Sequence, residues 1–196
     1  MTHDTAADPV RLRVFTLDDC TIEEANVPTP ETDPFDFFGF YRPDYLRQSI
    51  TSGEAFPKPG ALSGRLAVEA EGAYIGHVMW HPQQWGPIGS PAASFGIGLI
   101  PAARGKGYGT QAQRLLVAYL FQNTTTSRAE AVTDVENIAE QRSLEKAGLL
   151  REGIIRSAHF RAGTYHDMVL YAITRADFEE AQGGAKGSTV TTGFSA

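Results

Sequence analysis

Residues 104–110 combine glycines with basic side chains in a pattern suited to binding an anion. They read Arg-Gly-Lys-Gly-Tyr-Gly-Thr, follow a predicted strand that ends at Ile100, and precede the most regular amphipathic pattern in the chain. The first turn of a helix leaves backbone N–H groups unpaired and carries a partial positive charge. Glycines let the backbone approach a phosphate closely and adopt positive φ. The segment therefore predicts a site for a pyrophosphate or a comparable anion.

Two general phosphate-binding patterns compare differently with this segment. The Walker pattern requires Ser or Thr after its Lys, whereas Gly107 follows Lys106 here, so that pattern is excluded. Residues 107–112 formally fit the dinucleotide fingerprint G-x-G-x-x-A, with Glu130 near the expected acidic position. However, residues 101–104 separate the strand from the glycines, and only one further helix is predicted. An NAD-type (nicotinamide-dinucleotide) oxidoreductase is therefore the weaker alternative.

The elements that must position this segment alternate between strand and helix patterns. Apolar residues at 112, 115, 116, 119 and 120 form one helical face, and Glu71-Gly72 is a two-residue hairpin turn. The pattern predicts an α/β fold with a mixed sheet rather than an all-parallel one. The predicted strands are 11–15, 65–70, 73–80, 93–100, 128–133, 150–159 and 166–173, and the predicted helices are 21–25, 44–52, 110–122 and 137–147.

Composition and charge restrict the class of protein. The chain has 196 residues, of which 42% are hydrophobic and 20% charged, as in a single globular domain. We expect a flexible leader at 1–9, one domain at 10–181, and a disordered glycine-rich tail at 182–196. The net charge of −6 argues against nucleic-acid binding through a broad basic surface, and one cysteine excludes an intramolecular disulfide. With no signal-like or 18-residue apolar stretch, we expect a cytoplasmic protein without membrane contact. One cysteine and the lack of metal-ligand spacing between His159 and His166 also predict no metal site.

Residues 104–109 match Arg/Gln-x-x-Gly-x-Gly/Ala, and on this motif the chain resembles the GNAT superfamily of N-acetyltransferases. Residues 96–101 resemble the strand that precedes the motif in that family. Asn137 with residues 145–149 resembles a downstream Asn…EKxGF segment, in which Leu149 replaces the usual Phe. Residues 152–153, 161–167 and Tyr171 resemble the C-terminal hairpin of the branch that includes ribosomal-protein N-terminal acetyltransferases.

The resemblance implies a splayed mixed sheet flanked by helices, with acetyl-CoA bound in the split as the acyl donor. Leu99 and Ile100 would pair with the pantetheine arm, and the backbone N–H near Leu99 would stabilise the oxyanion. Asn137 would contact the bound cosubstrate, and Arg142 would reach a phosphate. Backbone amides of the glycine segment would hold the pyrophosphate; its residues are Arg104, Gly105, Lys106, Gly107, Tyr108, Gly109 and Thr110.

Asn137 has a second interpretation that needs no ligand. Residues 137–140 read Asn-Ile-Ala-Glu and fit a capping box. In that motif Asn137 would cap the following helix, and Glu140 would return to the backbone N–H of Asn137.

The resemblance implies direct attack of an amine on the thioester, and this requires a proton acceptor. An aliphatic amine has a pKa near 10, so only about one molecule in a thousand is unprotonated at neutral pH. Ser94 occupies the place where the family often has a glutamate. The candidate bases are Glu136 and Asp134, which follow a predicted strand, and His77, which lies on one.

The sequence thus predicts an N-acetyltransferase that acts on a primary amine, either a protein N-terminus or a small molecule. We expect a monomer or a homodimer. The acceptor pocket would draw on the aromatic segment 35–41, on Trp80 and Trp85, and on the segment around Arg161. Ser94 replaces the usual glutamate, and Glu140 and Leu144 stand where the family often has a Ser or Tyr acid after the asparagine. A non-catalytic acyl-CoA-binding module therefore remains the alternative of a different class.

Overall fold

The computed structural model describes residues 10–35, 37, 42, 44–53, 57–58, 60–85 and 91–184. Within these ranges the chain forms one seven-stranded sheet and five α-helices. The elements are β1 Val10–Arg13, α1 Leu17–Ala25, α2 Tyr45–Thr51, β2 Gly64–Ala70, β3 Ala73–Gln83, β4 Ala92–Leu99, α3 Tyr108–Asn123, β5 Arg128–Asp134, α4 Ile138–Ala147, β6 Leu150–Arg161, β7 Thr164–Thr174 and α5 Arg175–Gly184.

The sheet has the strand order β1-β2-β3-β4-β5-β7-β6, and its neighbours are antiparallel except for β4 and β5. The two parallel strands pair only from Ala92↔Arg128 to Ser94↔Glu130. From Phe95 onward, β4 therefore leaves β5 and a cleft opens between them. This confirms the predicted splayed mixed sheet. A sheet with one parallel pair is not the doubly wound sheet of dinucleotide-binding enzymes, so the oxidoreductase alternative is wrong for this fold.

Helices cover both faces of the sheet, and each buries an apolar side. On one face, Ala112, Leu116 and Leu120 of α3 are fully buried against the strands, as the periodicity predicted. On the other face, beside β2 and β3, α1 and α2 enclose a smaller cluster that includes Cys20 and Leu46. None of the described helices combines the length and apolar character that crossing a bilayer requires.

Helix α5 was not predicted, although a local signal for it exists. Thr174 and Asp177 form a reciprocal cap, because each backbone N–H donates to the other side chain. Arg175 donates to backbone carbonyls in the last turn of α3 and just beyond it. Phe178 packs on Phe121 with ring centroids 5.1 Å apart. The helix includes residues 182–184, which the sequence analysis assigned to a disordered tail. The rest of that tail and the predicted leader lie outside the described residues.

A bulge in β3 decides which side chains share a face. Glu69 pairs with Tyr74 but Val68 pairs with Gly76, so one extra residue is inserted in β3. Gly76 has φ +148°, and a Cβ there would lie 2.1 Å from the carbonyl oxygen of Gly98. Glycine thus permits the close approach of β3 to β4 at the start of the bulged segment.

An ion-pair network fixes the position of α1. Arg13 donates to both carboxylate oxygens of Asp19, at 2.6 and 2.8 Å, and its Nε donates to Glu69 at 2.6 Å. Burial acts to raise the pKa of Asp19, but the hydrogen bonds from Arg13 and Thr16 outweigh it and hold that pKa below its ordinary value. The network therefore ties α1 to β1 and β2.

Replacing Gly76 with Ala should lower the free energy of unfolding by about 3 kcal/mol, because the new Cβ forces β3 away from β4. Chemical denaturation measures this. Gly153→Ala is the matched control, since no described atom lies within 4 Å of its Cβ position and its φ is not positive. Equal stabilities of the two variants would contradict the close-approach role of Gly76.

Asp19→Asn should lower the free energy of unfolding by about 2 kcal/mol at neutral pH, because Arg13 loses a charged partner. Since the folded pKa of Asp19 lies below the unfolded one, its stabilisation is present above about pH 4 and disappears as the pH falls further. The stability difference from wild type should therefore shrink in acid. Glu24→Gln, which breaks a more exposed ion pair with Arg47, should have a much smaller effect.

Candidate active site

The glycine segment forms an open backbone surface at the end of β4. A 3-10 turn, Pro101–Ala103, leads into Gly105 with φ +75° and Gly107 with φ +83°, and α3 begins at Tyr108. No described heavy atom lies within 4 Å of a Cβ position at either glycine, and the first turn of α3 contains no acidic residue. Residues 104–107 are exposed, so the N–H groups at this helix start face solvent and could bind an anion such as a diphosphate.

The Arg104 side chain lies elsewhere than the sequence analysis expected. Its Nε donates to the Leu99 carbonyl at 2.9 Å, its Nη1 donates to the Thr32 carbonyl, and its Nη2 lies 3.3 Å from the carboxylate of Asp33. Arg104 thus holds the segment after α1, and its guanidinium is directed at that segment rather than at the glycine segment. The backbone is left as the main anion-binding feature.

Other predicted side chains of this region contact protein groups. The Tyr108 hydroxyl donates to Glu71 at 2.6 Å, and Thr110 Oγ1 lies 3.0 Å from Ser143 Oγ. Lys106 is exposed just before α3, and Arg142 is exposed in the middle of α4. Gly109 lies inside α3, where its Cβ position is 3.6 Å from Leu99 Cδ1.

Asn137 is the N-cap of α4. Its side chain accepts from the backbone N–H of Glu140 at 3.2 Å, which confirms the capping interpretation of this residue. The reciprocal half of the predicted box is wrong. The Glu140 carboxylate accepts from Gln113 at 2.6 Å, and the N–H of Asn137 donates to the Asp134 carbonyl. Helix α4 ends at Gly148 with φ +100°, as predicted.

The backbone of Leu99 faces the cleft. The N–H of Ile100 donates to the Ile75 carbonyl at 3.0 Å, so Ile100 faces β3. Because successive residues of a strand direct their backbone groups to opposite edges, the N–H and carbonyl of Leu99 face away from β3. The Leu99 carbonyl accepts a hydrogen bond from Arg104, and the Leu99 N–H is directed into the cleft. The role of Leu99 as an oxyanion donor stays a prediction, with which this orientation is compatible.

Two arginines from opposite sides hold residues 32–35, which we call the strap. Arg104 binds the strap from the β4 side, as described above. Arg161 donates to the Pro34 carbonyl, and its guanidinium lies 5.7 Å from the ring centroid of Phe35. Arg161 also pairs with Asp134 at the end of β5, at 2.5 Å. The strap therefore lies over the end of the cleft at which β4 and β5 terminate.

The three candidate bases have different surroundings. Asp134 is buried and paired with Arg161, its other oxygen accepts from the Glu136 N–H at 2.8 Å, and His166 Nδ1 lies 3.4 Å away. These contacts make Asp134 a residue that positions the strap. Glu136 is exposed in the turn after β5.

His77 is the candidate that the fold brings next to the cleft wall. His77 pairs with Gly98 on the adjacent strand β4. A Cβ at Gly98 would lie 3.1 Å from Cε1 of the His77 ring. Its Nδ1 lies 2.6 Å from Glu23 Oε1, and the Tyr74 hydroxyl donates to the same oxygen at 2.5 Å. Glu23 and Tyr74 were not among the site residues predicted from the sequence. The available signal was the placement of Glu23 four residues after Asp19, on the buried side of α1.

The expected acceptor-pocket residues separate into two groups. Trp80 is 2% exposed, donates to the Ala61 carbonyl and packs on Tyr119, so it belongs to the core and its predicted pocket role is wrong. Trp85 is 54% exposed and lines a surface pocket of about 600 Å³ with Arg128 and Glu152. Phe38, Phe40 and Tyr41 lie outside the described residues.

Among the described side chains, no group of three or more His, Cys, Asp or Glu could hold a metal ion.

Known proteins share both this sequence pattern and this fold. Residues 10–150 match the family described as "Acetyltransferase (GNAT) domain". The Bacillus subtilis protein named "Probable N-acetyltransferase YjcK" is 39% identical over 88 residues, which cover 45% of this chain and 49% of that protein. The chain spans about half the length of the curated relatives it matches.

Two solved structures illustrate the shared fold. Spermidine N-acetyltransferase from Vibrio cholerae, in complex with CoA and spermine, aligns with a TM-score of 0.71 at 19% identity, covering 87% of this chain and 98% of that one. RimL, a ribosomal L7/L12 alpha-N-protein acetyltransferase in complex with coenzyme A, aligns with a TM-score of 0.69 at 17% identity, covering 86% and 95%. With the splayed strands and the glycine segment both inside the matched residues 10–150, the chain belongs to the GNAT acetyltransferase family.

Proposed function

We propose that this protein transfers an acetyl group from acetyl-CoA to a primary amine. A C–N amide bond forms, the thioester C–S bond breaks, and coenzyme A leaves as its thiol with release of one proton. One juxtaposition carries the proposal: the accessible N–H groups that open α3 lie next to the β4 edge, where the N–H of Leu99 faces the cleft. Holding two reactants together there supplies much of the rate acceleration.

Different backbone groups of the chain bind the cosubstrate and polarise its acyl group. Backbone N–H groups of residues 105–110 bind the diphosphate at the positive end of α3. The N–H of Leu99 stabilises negative charge that develops on the acyl oxygen. The strap, fixed by Arg104 and Arg161, limits access of water to the end of the cleft. Bound acetyl-CoA supplies the activated acyl group. The CoA complexes of the two structural relatives support this assignment.

The face of the sheet on which the acceptor would lie favours an amine attached to an apolar group. The buried carboxylates nearest the cleft on this face already have partners: Asp134 with Arg161, Glu23 with His77, and Glu130 with Arg128 and Trp85. Met79 and Val132, which share the face, are 37% and 45% exposed. An acceptor that carries a second ammonium group, as a polyamine does, would therefore place that charge against neutralised carboxylates and apolar surface. Desolvating the charge there is unfavourable.

Acetyl-CoA consumption with an amine panel tests the activity, with release of CoA thiol as the readout. Phenethylamine should have a kcat/KM at least about tenfold higher than spermidine, because the latter brings unpaired charges into the cleft. A thiol reagent is suitable since the sole cysteine, Cys20, is fully buried. A higher kcat/KM for spermidine would contradict the acceptor class. Binding of CoA without thiol release for any amine would favour the non-catalytic acyl-CoA-binding module.

Gly107→Ala should weaken coenzyme A binding by about tenfold or more, because a Cβ at the start of α3 blocks approach of the diphosphate. Isothermal titration calorimetry measures the Kd. Gly148→Ala is the matched control, since Gly148 is also left-handed, has open space around its Cβ position, and ends α4 rather than opening α3. Both variants should lose about 1 kcal/mol of stability from backbone strain. Equal Kd values would show that Gly107 serves only the turn.

A further inference from the structure

Three polar side chains from α1 and β3 converge beside the cleft strand β4. Glu23 Oε1 lies 2.6 Å from His77 Nδ1 and 2.5 Å from the Tyr74 hydroxyl. Glu23 and Tyr74 are buried, at 8% and 4% exposure, and the His77 side chain is 17% exposed. The cluster is thus shielded from solvent at α1 and more exposed to solvent at the His77 imidazole.

The bulge in β3 creates this convergence. Residues three apart in a regular strand lie on opposite faces, but the extra residue lets Tyr74 and His77 share a face. Ile75 and Val78 belong to the core on the other face, which fits this assignment. On β4, Gly98 leaves the space that the imidazole ring occupies. The backbone geometry is therefore specific for placing His77 against β4.

Electrostatics determine the charge state of Glu23. Burial acts to raise the pKa of Glu23. The hydrogen bond and the charge interaction with His77, together with the hydrogen bond from Tyr74, outweigh burial and hold that pKa below its ordinary value. Burial, together with the Glu23 carboxylate, raises the pKa of the Tyr74 hydroxyl. The neighbouring charges are Arg65 on β2, which favours ionised Glu23, and Asp19 on α1, which acts against ionisation of Tyr74. Glu23 is thus a carboxylate and Tyr74 a phenol.

The ionised carboxylate determines the tautomer of His77. A carboxylate can only accept, so Nδ1 of His77 must carry the hydrogen in this contact. The neutral ring then has its lone pair on Nε2. No described residue forms a hydrogen bond to Nε2, and the ring lies over the β4 backbone one residue before Leu99. A proton-accepting atom therefore faces the neighbourhood of the oxyanion donor.

We propose that His77 Nε2 is the proton acceptor for the attacking amine, and that Glu23 and Tyr74 are positioning residues that hold it in the accepting tautomer. The inference rests on the proposed function. In the step, an N–H bond of the acceptor ammonium breaks, an Nε2–H bond forms, and the electron pair stays on the amine nitrogen. That pair becomes the nucleophile, and His77 returns the proton to water. Of the other two candidate bases, Asp134 is paired with Arg161 and Glu136 is exposed in the turn after β5. His77 is the candidate whose side chain lies against β4.

The tautomer can be measured in the free protein by ¹⁵N NMR of the histidine rings. The neutral His77 ring should carry its hydrogen on Nδ1, and Glu23→Leu should shift it toward the Nε2–H form because the acceptor is lost. The wild-type spectrum decides the point even if Glu23→Leu folds poorly. A wild-type ring with hydrogen on Nε2 would overturn the proposal.

Kinetics test the catalytic role. His77→Gln should lower kcat/KM for the amine by about 10²–10⁴-fold, with recovery at high pH as more acceptor becomes free amine. The Kd for coenzyme A should stay unchanged, and Glu23→Leu should lower kcat by about 10–100-fold. His81→Gln is the matched control, because His81 lies on the same strand and is exposed. An inactive wild-type protein would overturn the proposed function itself. Wild-type activity that survives in His77→Gln would overturn this inference alone.

Discussion

The separation of β4 from β5 is the constraint on which the rest of the structure depends. The strands share a ladder only up to Ser94↔Glu130, and beyond it the Leu99 backbone lacks a strand neighbour on the cleft side. An unpaired strand edge in a folded domain requires another partner, because backbone N–H and carbonyl groups are costly to leave unsatisfied. Part of that need is met by Arg104, which binds the Leu99 carbonyl. The N–H remains for a ligand.

Glycines, which have no side chain, shape the cleft as much as the larger residues do. Gly76 lets β3 approach β4, and Gly98 provides the space that the His77 ring fills. At Gly96 the nearest atom to a Cβ position is Met79 Cγ, at 4.0 Å, so the strand surface there is open. Gly107 opens α3 in a left-handed conformation that keeps its N–H groups accessible. Together these positions expose backbone where a thioester and a diphosphate would lie.

Buried charge is used for positioning rather than for attracting a cation. Asp134 and Arg161 fix the strap at one side of the cleft, and Arg104 fixes it at the other. Arg13 and Asp19 anchor α1, which carries Glu23 to His77. Because each buried carboxylate in the described part of the chain has a partner, the desolvation cost of its charge is offset by hydrogen bonds. The negative net charge of the chain therefore says little about the polarity of the cleft.

The sequence by itself determined the local features of this protein. The glycine segment, the apolar face of α3, the Asn137 cap and the Gly148 stop each depend on residues within about one or two helical turns, so spacing predicts them. The GNAT resemblance likewise rests on a continuous motif at residues 104–109.

Only the tertiary structure decided which distant groups meet. Glu23 and His77 are 54 residues apart, and their contact depends on a one-residue bulge that leaves no clear pattern in the sequence. Arg104 and Arg161 were assigned to an anion site and an acceptor pocket, yet both bind the strap. Such contacts follow from how α1, the strap and the sheet pack together, and local periodicity carries no information about that packing.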